Sequence, residues 1–164
     1  MGRAVTPRAA SLAVRASFRS ARASARLWAV APDIPMNAAA TLAQSLPWLP
    51  QIRSLDVPAV FAAQDGSEHG LIPWHLIDVL FLAGSTEWKT SPAARRLALE
   101  ARERGLAVHM GRVNSRRRLH IAQAFGCTSA DGTYLAFGPD TNLPRLLAWL
   151  NELQTTPTPF RDDT

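Results

Sequence analysis

A short apolar run, a cluster of polar and Gly residues, and then a stretch with helical spacing follow one another repeatedly from Leu27 onward, and this order constrains the fold more than any other feature of the chain. The apolar runs are Leu27 to Ala31, Ala59 to Ala63, Asp78 to Ala83, Leu106 to Met110 and, more weakly, Cys127 to Ala130. Each is strand-sized and mostly apolar, and reads as a buried strand. Between them, Asn37 to Ser45 continuing past Pro47 toward Arg53, Ser91 to Arg104, Ser115 to Phe125 and Asn142 to Leu153 fit amphipathic helices. Strand and helix in alternation predict a parallel sheet in an α/β fold. No Gly-x-Gly-x-x-Gly or Walker loop follows any strand, so a segment of an eight-stranded (β/α)8 TIM barrel, about five βα units, is favoured over an open nucleotide-binding sheet.

Local signals agree with this order. Ser91 stands where a cap belongs, Pro92 follows at the first helical position, and Leu97, Ala98, Ala101 and Leu106 recur on one side. Gly105 and Gly126 sit where helices end. Trp48 and Trp149 fall at core spacing, and Trp74 and Trp88 are placed to plug the barrel mouth.

The net charge of +5 is misleading as a mark of the folded part. Six arginines lie in residues 1–26, which contain no acid, whereas the remaining 138 residues carry twelve basic and thirteen acidic side chains. Residues 1–26 are therefore expected to be a disordered basic extension, of the composition that targeting segments and phosphate-binding arms share. Residues 27–153 form the domain, and the Pro- and Thr-rich 154–164 a disordered tail. One cysteine, Cys127, excludes an intrachain disulfide and a cysteine-rich zinc site, so no metal or other cofactor is expected. No apolar run approaches the ~18 residues of a membrane span, and a cytoplasmic setting is expected.

In βα folds, catalytic groups gather at the carboxyl ends of strands. Here those ends are polar in succession: Asp33; Gln64 and Asp65; Gly84 through Glu87 and Lys89; His109 through Arg112 and Asn114; and Asp131. Taken singly, Asp33 before Ile-Pro, Asp65 before Gly and Asp131 before Gly are equally turn formers, and His109 equally a hydrogen-bonded core histidine. Arg116, Arg117 and Arg118 open a helix against its dipole, a placement that calls for an anionic neighbour such as phosphate.

Three stretches carry a resemblance: Ala83-Gly84-Ser85-Thr86-Glu87-Trp88-Lys89, His109-Met110-Gly111-Arg112-Val113-Asn114-Ser115 and Gly126-Cys127-Thr128-Ser129-Ala130-Asp131-Gly132-Thr133. In this order and spacing, over about residues 28 to 150, the chain resembles the C-terminal half of the tRNA-guanine transglycosylase (queuine tRNA-ribosyltransferase) superfamily barrel, closest to the phage and bacterial branch that inserts 7-deazaguanines into DNA. The resemblance implies exchange of guanine for a 7-deazaguanine in nucleic acid, DNA before tRNA. It puts the nucleophile on Asp131, guanine-edge recognition on Asp33 and Gln64, and the surfaces lying against the base on Gly84, Met110 and Gly111. Asp65, Glu87, Lys89, His109, Arg112 and Asn114 would support them. The chain departs from the family's Gly-Gly loop at Ala83-Gly84, has Lys89 where a glutamate is usual, and lacks the zinc cysteines.

Five units leave an eight-stranded barrel three strands short, without the family's second catalytic aspartate, so a truncated or inactive form is one expectation. A partner subunit or self-association that completes the barrel is another. Two other functions stay open: a non-catalytic nucleic-acid-binding remnant, and an aldolase-like barrel forming a Schiff base on Lys89.

Overall fold

The computed structural model describes residues 28–155, and the basic extension expected at 1–26 and residues 156–164 of the expected tail lie outside them. The fold is α/β. Five strands, β1 (Ala29–Val30), β2 (Ala59–Ala63), β3 (Val79–Leu82), β4 (Ala107–Met110) and β5 (Ser129–Ala130), pair in parallel and in sequence order. The sheet curls into a half-barrel accompanied by six helices, α1 (Ala38–Ser45), α2 (Leu49–Ser54), α3 (Thr86–Lys89), α4 (Pro92–Glu103), α5 (Arg116–Ala124) and α6 (Pro139–Thr155), of which α1, α2 and α4 pack directly on the strands and α6 packs on α5.

Alternation along the strands separates the two faces. Phe61, Leu80, Leu82, Val108 and Met110 are fully buried in the layer beneath the helices, with Leu97, Ala98 and Ala101 of α4 and Leu119 and Ala122 of α5. On the concave side Phe81, His109 and Ser129 lie in one cross-strand row. Trp28, just before β1, reaches across to the His109 ring with 5.2 Å between centroids, and Phe81 meets the same ring edge-on at 4.9 Å. A residue entering the first strand thus packs on the fourth.

The caps account for the helix limits. Asn37 accepts from the Ala40 amide to start α1, and Ser91 from Ala94 to start α4, with Pro92 at its first position. Gly105 and Gly126 follow α4 and α5 at φ +75° and +74°, values that favour glycine. The helix expected to run past Pro47 is divided into α1 and α2, because proline lacks the N–H and its ring collides with the carbonyl four residues back. The last helix starts at Pro139, a turn before Asn142, and continues through Thr155. Pro144 lies inside it, although proline is best tolerated in a first turn.

Two tryptophans depart from expectation. Trp48 is 48% exposed, since the division at Pro47 turns it out of the core. Trp74 belongs to a 3-10 turn (Trp74–Leu76) leading into β3, at the amino edge, with the Arg104 guanidinium 5.0 Å from its ring centre. No described helix is long and apolar enough to cross a membrane.

Leu80, at the middle of the sheet and fully buried, tests the packing of this layer. Leu80→Ala should cost about 2–5 kcal/mol, read as a lower urea midpoint with an unchanged slope.

Candidate functional site

The polar groups at the carboxyl edge are assembled by the loops that leave each strand. After β1, buried Thr41 of α1 donates to the Ile34 carbonyl and accepts from its amide, both at 2.9 Å, while buried Ser45 donates to Pro32. These bonds fix the segment bearing Asp33. After β2, Gln64 is only 2% exposed, and its Nε2 donates to Asp33 Oδ2 at 2.7 Å while its Oε1 accepts from the Met36 amide at 3.0 Å. The Gln64 amide plane and the Asp33 carboxylate therefore hold one orientation.

Asp65 fastens the next loop. Its two oxygens accept from the amide and hydroxyl of Ser85, at 2.7 and 2.6 Å, and Ser85 in turn caps α3 by accepting from Trp88. Burial raises the Asp65 pKa, but the bonds from Ser85, the residue's own backbone and the charge of Arg112 outweigh it and hold the carboxyl below its ordinary value. Gly84 is required here because a Cβ would lie 2.5 Å from the Trp88 ring and 2.6 Å from the Asp65 carboxylate. Trp88 is buried, and its indole N–H donates to Glu68 Oε2 at 2.7 Å.

Asp131 follows β5 and is bound on both oxygens. Oδ1 accepts from the Arg112 amide at 2.6 Å, and Oδ2 lies 3.4 Å from His109 Nε2, whose other ring nitrogen is 2.8 Å from Ser129 Oγ. Burial pushes the Asp131 pKa up; the hydrogen bonds from His109 and Arg112 and the charges of His109 and Lys89 more than reverse that, leaving the carboxyl below its ordinary value. The side chain remains 35% exposed, open to a ligand. Below it Val113, Leu119, Ala130, Tyr134 and Leu146 enclose a cavity of about 30 Å³. That cavity has room for a water but not for a base, so a base would have to approach from the concave side.

Lys89 is fully buried, and its Nζ donates to the Gly111 carbonyl at 2.6 Å. Burial, with Arg112 and Arg118 nearby, lowers its pKa to about 8 although Asp131 opposes the shift. An enclosed amine gives a carbonyl substrate no approach, which disfavours the Schiff-base reading. The Arg112 guanidinium donates to the carbonyls of Ala83 and Gly84, at 3.0 and 2.7 Å, tying the third strand end to the fourth.

The strand ends thus converge as two groups, Asp33 with Gln64 and Asp131 with His109, Lys89, Gly111 and Arg112, with Asp65 and Gly84 in the loop between. Asn114 binds the following turn, accepting from the Thr133 amide at 2.7 Å. Glu87 is exposed on α3. Met110 is a correction: its side chain is fully buried in the layer beneath the helices, because neighbours on a strand face opposite ways, and it gives a base no floor on the concave side. Gly111 does face that side, where a Cβ would meet the Phe81 ring at 2.6 Å. The anionic neighbour that Arg116 requires is Glu152 of α6, with which it forms a hydrogen-bonded ion pair. Ser129, Trp28 and Phe81 belong to the site's surroundings and were missed, although a spacing of two from Asp131 places Ser129 on the same face.

Comparison with protein-family models, curated proteins and solved structures returns no match. Among the described residues no group of His, Cys, Asp and Glu could hold a metal ion.

The depressed carboxyls give a pH test. A group whose folded pKa lies below its unfolded one contributes stability above the unfolded value, near 3.8 for Asp65, and loses it as pH falls through the folded value. Asp65→Asn should therefore cost about 1–3 kcal/mol at pH 7 and flatten the acid limb of a stability profile measured by urea unfolding between pH 2 and 7.

Proposed function

We propose that this chain is a transglycosylase-like protein, built on a segment of a TIM barrel, that exchanges guanine for a 7-deazaguanine in nucleic acid. The observation that carries the reading is the Asp131 carboxylate, kept ionised, hydrogen-bonded on Oδ1 and close to His109 on Oδ2, yet open to ligand at the carboxyl edge.

The chemistry asks for such a group. A carboxylate attacks C1′ of guanosine, the C1′–N9 bond breaks with its electron pair leaving on the base, and the departing guanine takes up a proton. The glycosyl ester then reacts with the ring nitrogen of the incoming 7-deazaguanine, which loses its proton, and the carboxylate is regenerated. An aspartate suits both halves because it is nucleophile and leaving group, as in retaining glycosidases. Asp33, oriented by Gln64, offers acceptor oxygens to the ring N–H and exocyclic amine of guanine. The base must leave its stack to reach this edge, and DNA is favoured over tRNA on the sequence resemblance alone.

Labelled-guanine exchange and denaturing-gel trapping of a covalent adduct, on guanosine-containing DNA and on tRNA, test the reading. Asp131→Asn should abolish the adduct while base binding persists, since the amide keeps the shape without the nucleophilicity. Asp33→Asn should weaken base binding by about 1–3 kcal/mol. Full exchange by Asp131→Asn, or no adduct from the unaltered chain on either nucleic acid, would remove the proposal.

The same reading expects a second chain at the sheet edges. Among the described residues β1 and β5 end the sheet, and beside β1 Val30, Ile34 and Met36 are exposed at 38%, 39% and 65%. Unpaired edge backbone next to exposed apolar surface favours association. Sedimentation velocity should show a dimer or larger species at micromolar concentration, and a monomer there would count against completion by self-association.

A further inference from the structure

Two short hydrogen bonds meet on one peptide unit. Lys89 Nζ donates to the Gly111 carbonyl at 2.6 Å, and the N–H of the same peptide, that of Arg112, donates to Asp131 Oδ1 at 2.6 Å. Ammonium, peptide and carboxylate thus stand in series. We propose that Lys89 is a positioning residue for Asp131 that acts through the Gly111–Arg112 peptide, its charge polarising that amide so that the N–H holds the carboxylate more strongly.

Three features point this way. Hydrogen bonds in series strengthen one another, most of all where one end is charged and water is excluded. Lys89 is fully buried, a costly place for an ammonium, whereas a neutral donor would satisfy a carbonyl more cheaply. Arg112 also takes φ +55°, a left-handed conformation that a residue with a Cβ adopts only when its surroundings impose it. Its guanidinium on Ala83 and Gly84, and the bond from Arg118 Nη1 to its carbonyl at 3.2 Å, impose it here and aim its N–H at Asp131.

The charged groups around the pair define the titration. Lys89 faces Arg112 from the loop after β4, Arg118 from α5 and Asp131 from beyond β5, while Asp131 also faces His109 of β4. Lys89 loses its proton near pH 8, so the relay is fully charged below that pH and weakens above it. Cys127, pushed up to about 12 by burial, is silent in the same window.

The relay's catalytic consequence rests on the base-exchange reading, but the relay can be measured without turnover. In the full chain, followed by NMR from pH 6 to 10, the Lys89 side-chain carbon and the Arg112 backbone amide should share one midpoint near pH 8, with the amide proton moving upfield as the lysine is neutralised. In Lys89→Met, checked for folding by its melt, the amide inflection should vanish and the Asp131 carboxyl should titrate at higher pH. An Arg112 amide that stays flat while Lys89 titrates, or an inflection that survives in Lys89→Met, overturns the proposal. If Lys89→Met does not fold, the shared midpoint in the unaltered chain decides alone. A chain with the shared midpoint that forms no glycosyl adduct keeps the relay and loses the base-exchange reading; a chain that forms the adduct with a flat amide does the reverse.

Discussion

The packing of Trp28 and Phe81 on the His109 ring is the interaction from which the site's geometry follows. Parallel strands set only the spacing between neighbours, so five of them could lie in an open twisted sheet with β1 far from β4. The concave face instead carries large rings from β3, β4 and the entry to β1, and burying them against one another draws the first strand toward the fourth. The parallel direction of the strands already puts Asp33 and Asp131 at one edge of the fold, and the curl turns that edge around the concave face. The rings also hold His109 from both sides, so that one nitrogen meets Ser129 and the other Asp131.

The order and kind of the strands were legible in the sequence because apolar runs and turn residues are local signals. Helix limits were legible wherever a cap marks them, as at Asn37, Ser91, Ser115 and Gly105. The helix expected to continue past Pro47 is instead broken there into α1 and α2. At α6 the expected start at Asn142 was late: the helix begins at Pro139, directly after Gly138 at φ +77°.

For the site, position after a strand was enough to gather the polar residues but not to assign their partners. Met110 illustrates the difference, since neighbouring residues of a strand point to opposite faces and only His109 and Gly111 share the side of Asp131. Trp28 escaped notice because its contact with His109 depends on curvature, a property of the whole sheet that no window of sequence contains. The Arg116–Glu152 pair is hidden for a similar reason, because a residue on α5 meets one on the far end of α6 only after both helices have docked. Such surface pairs contribute little stability, yet this one removes an apparent reason to place phosphate at the start of α5.

Asp131 then shows how a half-buried carboxylate is arranged so that ionisation survives desolvation. Burial alone would push its carboxyl up, and a neutral acid could not act as the nucleophile that the proposed base exchange requires. Lys89 close by would hold it down, but an ammonium bonded directly to the carboxylate would occupy the lone pairs that the proposed exchange uses. Setting the lysine on the far side of a peptide avoids that conflict: the charge acts over a short distance while a neutral N–H meets Oδ1. The longer 3.4 Å approach of His109 leaves Oδ2 the more loosely held oxygen, and with the side chain partly exposed it is the atom best placed to form a new bond. In this arrangement the two oxygens are not equivalent, and the asymmetry comes from the left-handed turn at Arg112, which directs a backbone donor to one of them alone.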